Sequence, residues 1–301
     1  MKAAGAAGDE RVYLHYTQAE LDRNFDQRGW IRNAEEIIAR YVSRSQSVRE
    51  RLDFYTLSYG WGDEEILDIF PAGRGNSPVL LFVHGGAWRN FTKDNFSFVA
   101  SAFVPAGFPT VVVNFPKLPA VRLPNMLSAL QRALAFVHHH AGSFGGDANR
   151  LYLCGHSSGA HLAANLAIEE HTTGEILRES ITGCACISGC FDLEPVLLSV
   201  RSSYVRLSKS EVGALSPLFH VDRLACDVLI ASAEHDTNEF QRQSDAFAQA
   251  LAQAGRLRDR LTLPGLNHFD AIELLADPTS ELSRRICGHI ETPRPNVLPT
   301  Y

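Results

Sequence analysis

The sequence predicts an α/β fold with a mostly parallel central sheet and helices on both faces. Short apolar segments alternate with longer segments of helical periodicity, and residues 79–83 are apolar at every position. Alternating strands and helices are typical of parallel sheets, and a continuously apolar strand is typical of a sheet buried on both sides. No Pro/Gly/Ser-rich linker divides the 301 residues, so we expect a single domain over residues 1–301.

The individual elements are predicted from apolar runs and their flanking turn residues. Residues 54–59 and 66–70 are expected to form an antiparallel pair around Gly60-Trp61-Gly62. The other expected strands are residues 79–83, 110–115, 151–154, 184–188, 228–232 and 261–263. The expected helices between and after them are residues 124–140, 158–170, 239–254 and about 279–290.

Two further helices are expected before the first strand. Thr17 and Glu20 have the spacing of a capping box for a helix over residues 17–25. Apolar residues from Ile37 to Val42 recur at helical spacing and predict a second helix over residues 31–43. We expect this N-terminal helical segment, about residues 10–50, to lie over a pocket as part of a lid.

Composition and charge exclude several classes of function. The net charge of -6 and the absence of a basic block argue against a nucleic-acid partner. No run of about 18 apolar residues predicts a membrane span, and the N-terminus lacks the apolar core of a secretory signal, so we expect a cytoplasmic protein. The six cysteines show no C-x-x-C spacing and are expected to be small buried side chains.

The strongest chemical signal is Gly155-His156-Ser157-Ser158-Gly159, which matches the pattern G-x-S-x-G. An apolar strand precedes it and a helical pattern follows, as a nucleophile elbow requires. Such a turn raises the serine hydroxyl above the sheet and directs a helix N-terminus at the reaction centre. Ser157 is therefore the expected nucleophile of an α/β-hydrolase fold.

A second signal, His84-Gly85-Gly86-Ala87-Trp88, directly follows another strand. Consecutive glycines let a substrate oxygen approach backbone N–H groups closely. We expect the N–H groups of Gly85, Gly86 and Ser158 to form an oxyanion hole, and His84 to hold the shape of this loop.

A serine nucleophile needs a base and an orienting acid, which follow it in the chain order Ser, Asp/Glu, His. His268 follows the last predicted strand, whereas His289 lies inside the final predicted helix, so His268 is the expected base. Asp236 is the preferred acid after the strand 228–232, and Glu239 and Glu234 remain alternatives.

Other candidate residues have weaker support. His138, His139 and His140 are consecutive on a predicted helix and cannot all face one metal ion, so no metal site and no cofactor are expected. His161 lies on the helix after the nucleophile and is interpreted as a packed helix residue. Side chains that follow the oxyanion loop or the strand 184–188 are candidates for the substrate pocket: Trp88, Phe91 and Phe191.

These motifs together resemble the arylformamidase (kynurenine formamidase) family of α/β-hydrolases, which is near the hormone-sensitive-lipase-like esterases. The resemblance covers about residues 16–275 and includes the HGGxW pattern at His84, the elbow at Ser157 and the histidine loop at His268. Further matches lie in residues 144–147, 188–193, 216–217, 235–240 and 243–244. Two residues depart from the family pattern, because Ser158 replaces a common alanine and Phe115 replaces a common tyrosine.

The resemblance implies a triad of Ser157, Asp236 and His268 that cleaves an aryl formamide such as N-formylkynurenine. A carboxylesterase acting on small aryl or short-chain acyl esters is the alternative, and a binding protein on an inactive hydrolase fold is disfavoured by the intact triad. The expected partner is a small-molecule substrate, and a homodimer is left open as the assembly.

Overall fold

A mixed sheet runs through the centre of the protein, with helices packed on both of its faces. The computed structural model describes residues 10–73, 75–168 and 178–293. Within these residues the strands are β1 Arg11–Tyr13, β2 Tyr16–Thr17, β3 Tyr55–Ser58, β4 Ile66–Phe70, β5 Ser77–Val83, β6 Thr110–Val113, β7 Gly146–His156, β8 Ile181–Ile187, β9 Val228–Ala233 and β10 Leu257–Leu263.

Strands β3 to β10 form the main sheet in the order β10-β9-β8-β7-β5-β6-β4-β3, and β1 pairs with β2 separately. Strands β5 to β10 are parallel, whereas β4 pairs antiparallel with β6, and β3 pairs antiparallel with β4. The predicted α/β fold with a mostly parallel sheet is confirmed, as is the early antiparallel pair.

The α-helices follow the strands in regular alternation from β6 onwards. Their bounds are α1 Gln18–Asn24, α2 Gln27–Trp30, α3 Ala34–Arg51, α4 Ala100–Ala106, α5 Leu123–His140, α6 Ser158–Leu166, α7 Glu194–Leu198, α8 Lys209–Leu215, α9 Asn238–Gln253, α10 Asp270–Glu273 and α11 Glu281–Glu291. No helix among the described residues is long and apolar enough to cross a membrane.

Strand β5 shows why the sheet is covered on both sides. All seven of its residues are buried. Leu81 packs in a cluster that includes Leu130 of α5 and Leu162 of α6, whereas its neighbour Phe82 packs in a second cluster that includes Tyr41 of α3. Because successive side chains of a strand point to opposite faces, β5 contributes to a core on each side of the sheet.

The N-terminal helices differ in part from the sequence prediction. Helix α1 begins with the predicted capping box, in which the Thr17 hydroxyl accepts from the Glu20 N–H and the Glu20 carboxylate accepts from the Thr17 N–H. The second predicted helix, over residues 31–43, is wrong in its bounds. A short helix α2 precedes it, and α3 extends to Arg51, because the polar second half of α3 carries few apolar residues to show its period.

The bounds of two other elements also differ from those predicted from the sequence. Strand β10 begins at Leu257 because its charged residues 258–260 lie on an edge strand that is only half buried, where an apolar run is not required. Helix α6 ends at Leu166, and residues 169–170 of the predicted helix lie outside the described residues. Five of the six cysteines are buried, and Cys287 is half buried, so the interpretation of the cysteines as packing residues is supported.

Candidate active site

Ser157 lies in a sharp turn between the end of β7 and the start of α6. Its φ of 56° and ψ of -125° are strained for a residue with a side chain. A Cβ on Gly155 would lie 2.3 Å from the carbonyl oxygen of Gly159, and one on Gly159 would lie 2.1 Å from that of Val83. Both glycines are therefore required by space alone, and the strand–turn–helix context of a nucleophile elbow is present.

The side chains of Ser157, His268 and Asp236 form one hydrogen-bonded chain. The Ser157 Oγ lies 3.0 Å from Nε2 of His268, and Nδ1 of His268 lies 2.7 Å from Oδ1 of Asp236. All three residues are buried, so bulk water does not compete strongly for these bonds. The arrangement has the geometry of a nucleophile, a base and an orienting acid.

The structure separates the three carboxylates that follow β9. Asp236 contacts His268, whereas the carboxylate of Glu239 binds the Arg242 guanidinium at 2.7 and 2.8 Å. The Glu234 carboxylate instead accepts a hydrogen bond of 2.6 Å from the Gly265 N–H. Of these candidates, Asp236 is therefore the acid that reaches the histidine ring.

Ser188 orients this acid and was not predicted from the sequence. Its hydroxyl donates to Oδ2 of Asp236 at 2.6 Å, and the Ala233 N–H donates to the same oxygen at 2.9 Å. Ser188 is fully buried and has a positive φ of 48° at the end of β8. The positive φ identifies Ser188 only once the structure is known. In the sequence, a serine after an apolar strand is too common to indicate such a role.

His156 holds the backbone of the histidine loop. Its Nε2 lies 2.9 Å from the carbonyl oxygen of His268, so this nitrogen carries the proton and donates. Burial, followed by the neighbouring His268, lowers the pKa of His156 well below its usual value. The ring therefore stays neutral and fixes the position of His268 rather than transferring protons.

The glycine loop after β5 approaches Ser157 closely. A Cβ on Gly85 would lie 2.8 Å from the carbonyl oxygen of His156 and 3.0 Å from Cβ of Ser157. Gly86 has a φ of 117°, which favours glycine, and a Cβ there would lie 2.2 Å from the Asn90 carbonyl oxygen. The Trp88 N–H donates to the Ser158 hydroxyl at 3.1 Å and thereby joins this loop to α6.

Ser158 is the first residue of α6, whose N-terminal N–H groups have no acceptor within the helix. The Ser158 hydroxyl has a structural role here, because it accepts the hydrogen bond from the Trp88 N–H. The loop and the helix N-terminus thus present backbone donors beside Ser157.

His84 is held between two aromatic rings beneath this loop. Its ring lies 4.4 Å from the ring centroid of Phe115 and 5.4 Å from that of Phe96, and its Nδ1 donates to the Gly85 carbonyl at 2.7 Å. Burial lowers the pKa of His84 to about 4. The residue is therefore neutral near pH 7, and Phe115 serves as its stacking partner.

A cavity of about 600 Å³ opens above Ser157 and His268. Phe91 borders it, as expected from the sequence. Trp88 and Phe191 do not border it, so their prediction as pocket residues is wrong. Trp88 is buried with its ring edge against His161, and Phe191 stacks on Phe247 at 4.1 Å inside the core. An aromatic residue after a strand has the same sequence pattern whether it faces the core or a pocket.

The N-terminal helical segment forms one wall of this cavity. Residues 22–23 and 25–29, from α1, α2 and the turn between them, border it together with residues 200–201 and 203–204 after α7. The Val200 N–H donates to the Asp22 carboxylate, and the Arg201 guanidinium donates to the Phe25 carbonyl, so the two walls are joined. The N-terminal helices thus border the cavity, and their role as a lid stays a prediction.

The remaining histidines lie in other environments. His161 bonds to the Leu215 carbonyl at 2.8 Å, and His140 bonds to the Phe136 carbonyl within its own helix. Among the described residues, no group of three or more potential ligands is arranged to hold a metal ion.

The site and the fold have known relatives. The family model BD-FAE matches residues 67–186. A kynurenine formamidase of Danio rerio is 29% identical and aligns over 88% of this chain and 94% of its own length. The esterase LipQ of Mycobacterium tuberculosis is 30% identical over 73% of this chain and 57% of its own length.

A solved structure has a similar fold. The structure of a candidate thioesterase from Silicibacter sp. is 26% identical, with a TM-score of 0.78 over 89% of this chain and 98% of that one. The chain therefore has the α/β-hydrolase fold and is an α/β-hydrolase related to kynurenine formamidases and esterases.

Proposed function

We propose that the protein hydrolyses an aryl formamide such as N-formylkynurenine to formate and the free aryl amine. The observation that carries the proposal is the hydrogen-bonded chain from Asp236 through His268 to Ser157, at the floor of a cavity beside the glycine loop. Similarity to kynurenine formamidases along most of the chain supports the choice of substrate class.

The cavity suits an aromatic leaving group. Its volume of about 600 Å³ lies within the usual range for small-molecule sites. Its aromatic lining comes from α3 and from the segments after α1, β5, α7 and β10, and consists of Phe25, Tyr41, Phe91, Phe96, Tyr204 and Phe269. An aryl ring can pack against these side chains, whereas a formyl group needs space for only a hydrogen atom beside the carbonyl.

In the acylation step, Ser157, His268 and Asp236 act as nucleophile, base and orienting acid. Ser157 Oγ attacks the formyl carbon while Nε2 of His268 accepts the hydroxyl proton, and Asp236 stabilises the resulting imidazolium. The N–H groups of Gly85, Gly86 and Ser158 stabilise the oxyanion, and each such donor typically contributes about 10²- to 10³-fold in rate. His268 then gives the proton to the amide nitrogen, the C–N bond breaks, and the aryl amine leaves.

Deacylation repeats the same steps with water as the nucleophile. His268 accepts a proton from a water molecule, whose oxygen attacks the formyl ester of Ser157. The second tetrahedral intermediate is stabilised at the same backbone donors. Its collapse releases formate and returns the proton to the Ser157 oxygen, which restores the free enzyme.

The alternative function is a carboxylesterase for small aryl or short-chain acyl esters. The same triad serves ester cleavage, and the similarity to LipQ of Mycobacterium tuberculosis, which is described as an esterase, favours this second candidate. The two functions differ in the acyl group that the site accepts.

The experiment compares acyl groups on one leaving group. We expect kcat/KM for phenyl esters to be highest for formyl, lower for acetyl, and to fall steeply for butyryl and octanoyl, with rapid turnover of N-formylkynurenine. Each added methylene in a tight site shifts selectivity by about 10- to 200-fold. A maximum at butyryl or longer, with negligible turnover of N-formylkynurenine, would instead identify a general esterase.

A further inference from the structure

The residues that line the cavity include more arginines than acidic residues. Its described lining carries two aspartates, Asp22 and Asp26, and four arginines. Asp22 accepts from the Val200 N–H, and Asp26 accepts from the Gly29 N–H as the cap of α2. Both carboxylates are thus bound by neutral groups, and they are outnumbered by the arginines of the lining: Arg23, Arg28, Arg89 and Arg201.

Arg201 is the most unusual of these arginines because it is 4% exposed and no carboxylate lies within ion-pair distance among the described residues. Its Nε and Nη2 donate to the Phe25 carbonyl, and Nη2 also donates to Oε1 of Gln27. Its Nη1 is buried and has no hydrogen-bond partner. A buried cation without a neighbouring anion is costly, so Arg201 lacks a negative group that would compensate its charge.

The surroundings of Arg201 hold its guanidinium in place. Its Cζ lies 5.1 Å from the ring centroid of Phe25 and 5.8 Å from those of Trp88 and Phe240. Aromatic faces stabilise a cation but do not neutralise it. The guanidinium is thus fixed with Nε and Nη2 already bonded, so the two N–H groups of Nη1 are the donors that remain for a carboxylate.

Arg89 supplies a second guanidinium at the same cavity. It follows the glycine loop directly, is exposed, and lies with its Cζ 4.6 Å from the ring centroid of Tyr204. No carboxylate lies within ion-pair distance of it in the described part of the chain. Arg28, in contrast, pairs with Glu35 at 3.3 Å, so its charge is already compensated.

We propose that Arg201, assisted by Arg89, binds a carboxylate on the leaving group of the substrate. The preferred substrates are then anionic aryl amides or esters, in which the charged group lies in the cavity and the scissile carbonyl lies at Ser157. The inference rests on the proposed function for the identity of the scissile bond, whereas the charge preference is independent of it. N-formylkynurenine carries such a carboxylate on its amino-acid side chain.

The test compares each acid with its uncharged amide of nearly equal shape. The formamide pair is N-formylkynurenine and its carboxamide, and the ester pair is 4-acetoxybenzoate and 4-acetoxybenzamide. For the wild-type protein we expect kcat/KM to favour the acid by about 100-fold in at least one pair, as a charge-assisted hydrogen-bond pair would give. The preference should fall at high ionic strength, because salt screens the exposed charge of Arg89.

Two variants assign the preference to residues. Arg201→Gln should lose about 100-fold in kcat/KM for the acid and less than about threefold for the amide, and Arg89→Gln should show a smaller loss of the same kind. Arg206→Gln is the matched control, because Arg206 is exposed on the same segment and does not border the cavity. It changes the net charge equally and should leave the ratio of acid to amide unchanged.

The outcomes separate the two proposals. An acid preference that is confined to the ester pair, without turnover of either formamide, would overturn the formamidase function and support the carboxylate site. Equal rates for acid and amide in the wild-type protein would overturn the carboxylate site whatever the acyl group. An equal loss for acid and amide in Arg201→Gln would show that Arg201 only anchors the N-terminal helices, and it too would overturn the proposal.

Discussion

Replacement of Asp236 by Asn tests the assignment of the acid, because the amide can occupy the site in only one favourable orientation. The Ala233 N–H, at 2.9 Å, and the Ser188 hydroxyl, at 2.6 Å, both donate to Oδ2 of Asp236. The backbone N–H cannot accept a hydrogen bond, so the Asn oxygen is expected at that position. Its NH₂ group then faces Nδ1 of His268, where Asp236 now accepts at 2.7 Å.

An NH₂ group that donates to Nδ1 forces the imidazole proton onto Nε2, which faces Ser157. In that tautomer, His268 cannot accept the hydroxyl proton. We therefore expect kcat to fall by about 10⁴-fold, as in serine proteases, which corresponds to about 5 kcal/mol of transition-state stabilisation. The fold should be retained, because Asn has nearly the same shape as Asp.

The assay measures kcat for N-formylkynurenine and for p-nitrophenyl acetate, with circular dichroism as the check on folding. Glu234→Gln and Glu239→Gln are the matched controls, since neither carboxylate contacts His268. Glu234→Gln should change kcat by less than about threefold, and Glu239→Gln should mainly lower the Tm, because it breaks the ion pair with Arg242. A greater loss of kcat in Glu239→Gln than in Asp236→Asn would refute the assignment.

Ser157→Ala should lower kcat by several orders of magnitude with the fold intact, and a serine-directed phosphonate should label Ser157; labelling of another residue would contradict the mechanism. Ser188→Ala should lower kcat by about 10- to 100-fold with little change in KM, since it removes one charge-assisted bond to Asp236; unchanged kcat would show that the Ala233 N–H suffices. Burial lowers the pKa of His84 from 6.5 in the unfolded chain to about 4 in the folded protein, so the unfolded chain binds one more proton between these pH values. The contribution of His84 to the free energy of unfolding should therefore be complete above pH 6.5 and decrease by about 3 kcal/mol towards pH 4. Urea titrations would measure this decrease, which should be smaller in His84→Gln. Dialysis against EDTA should leave kcat/KM unchanged, because the proposed steps use only side chains, backbone donors and water, and a loss restored by zinc would refute this.

Residues that lie close together in the chain encode the features that were predicted correctly. The elbow at Ser157 and the glycine loop at Gly85 and Gly86 need specific small residues at fixed spacings, because a Cβ would clash with backbone atoms. The alternation of strands and helices likewise predicted the confirmed α/β-hydrolase fold. Single-domain organisation, a homodimer, the absence of a cofactor and a cytoplasmic location stay predictions.

The sequence by itself thus determined the fold and the local motifs, whereas the tertiary structure decided every relation between distant segments. It placed Asp236 rather than Glu239 at His268, assigned Ser188 to the carboxylate, and buried Phe191 in the core instead of the pocket. It also brought Arg201 against the N-terminal helices without a carboxylate partner among the described residues. The physical reason is that hydrogen bonds and packing depend on distances across the fold, which residue type and spacing along the chain do not specify.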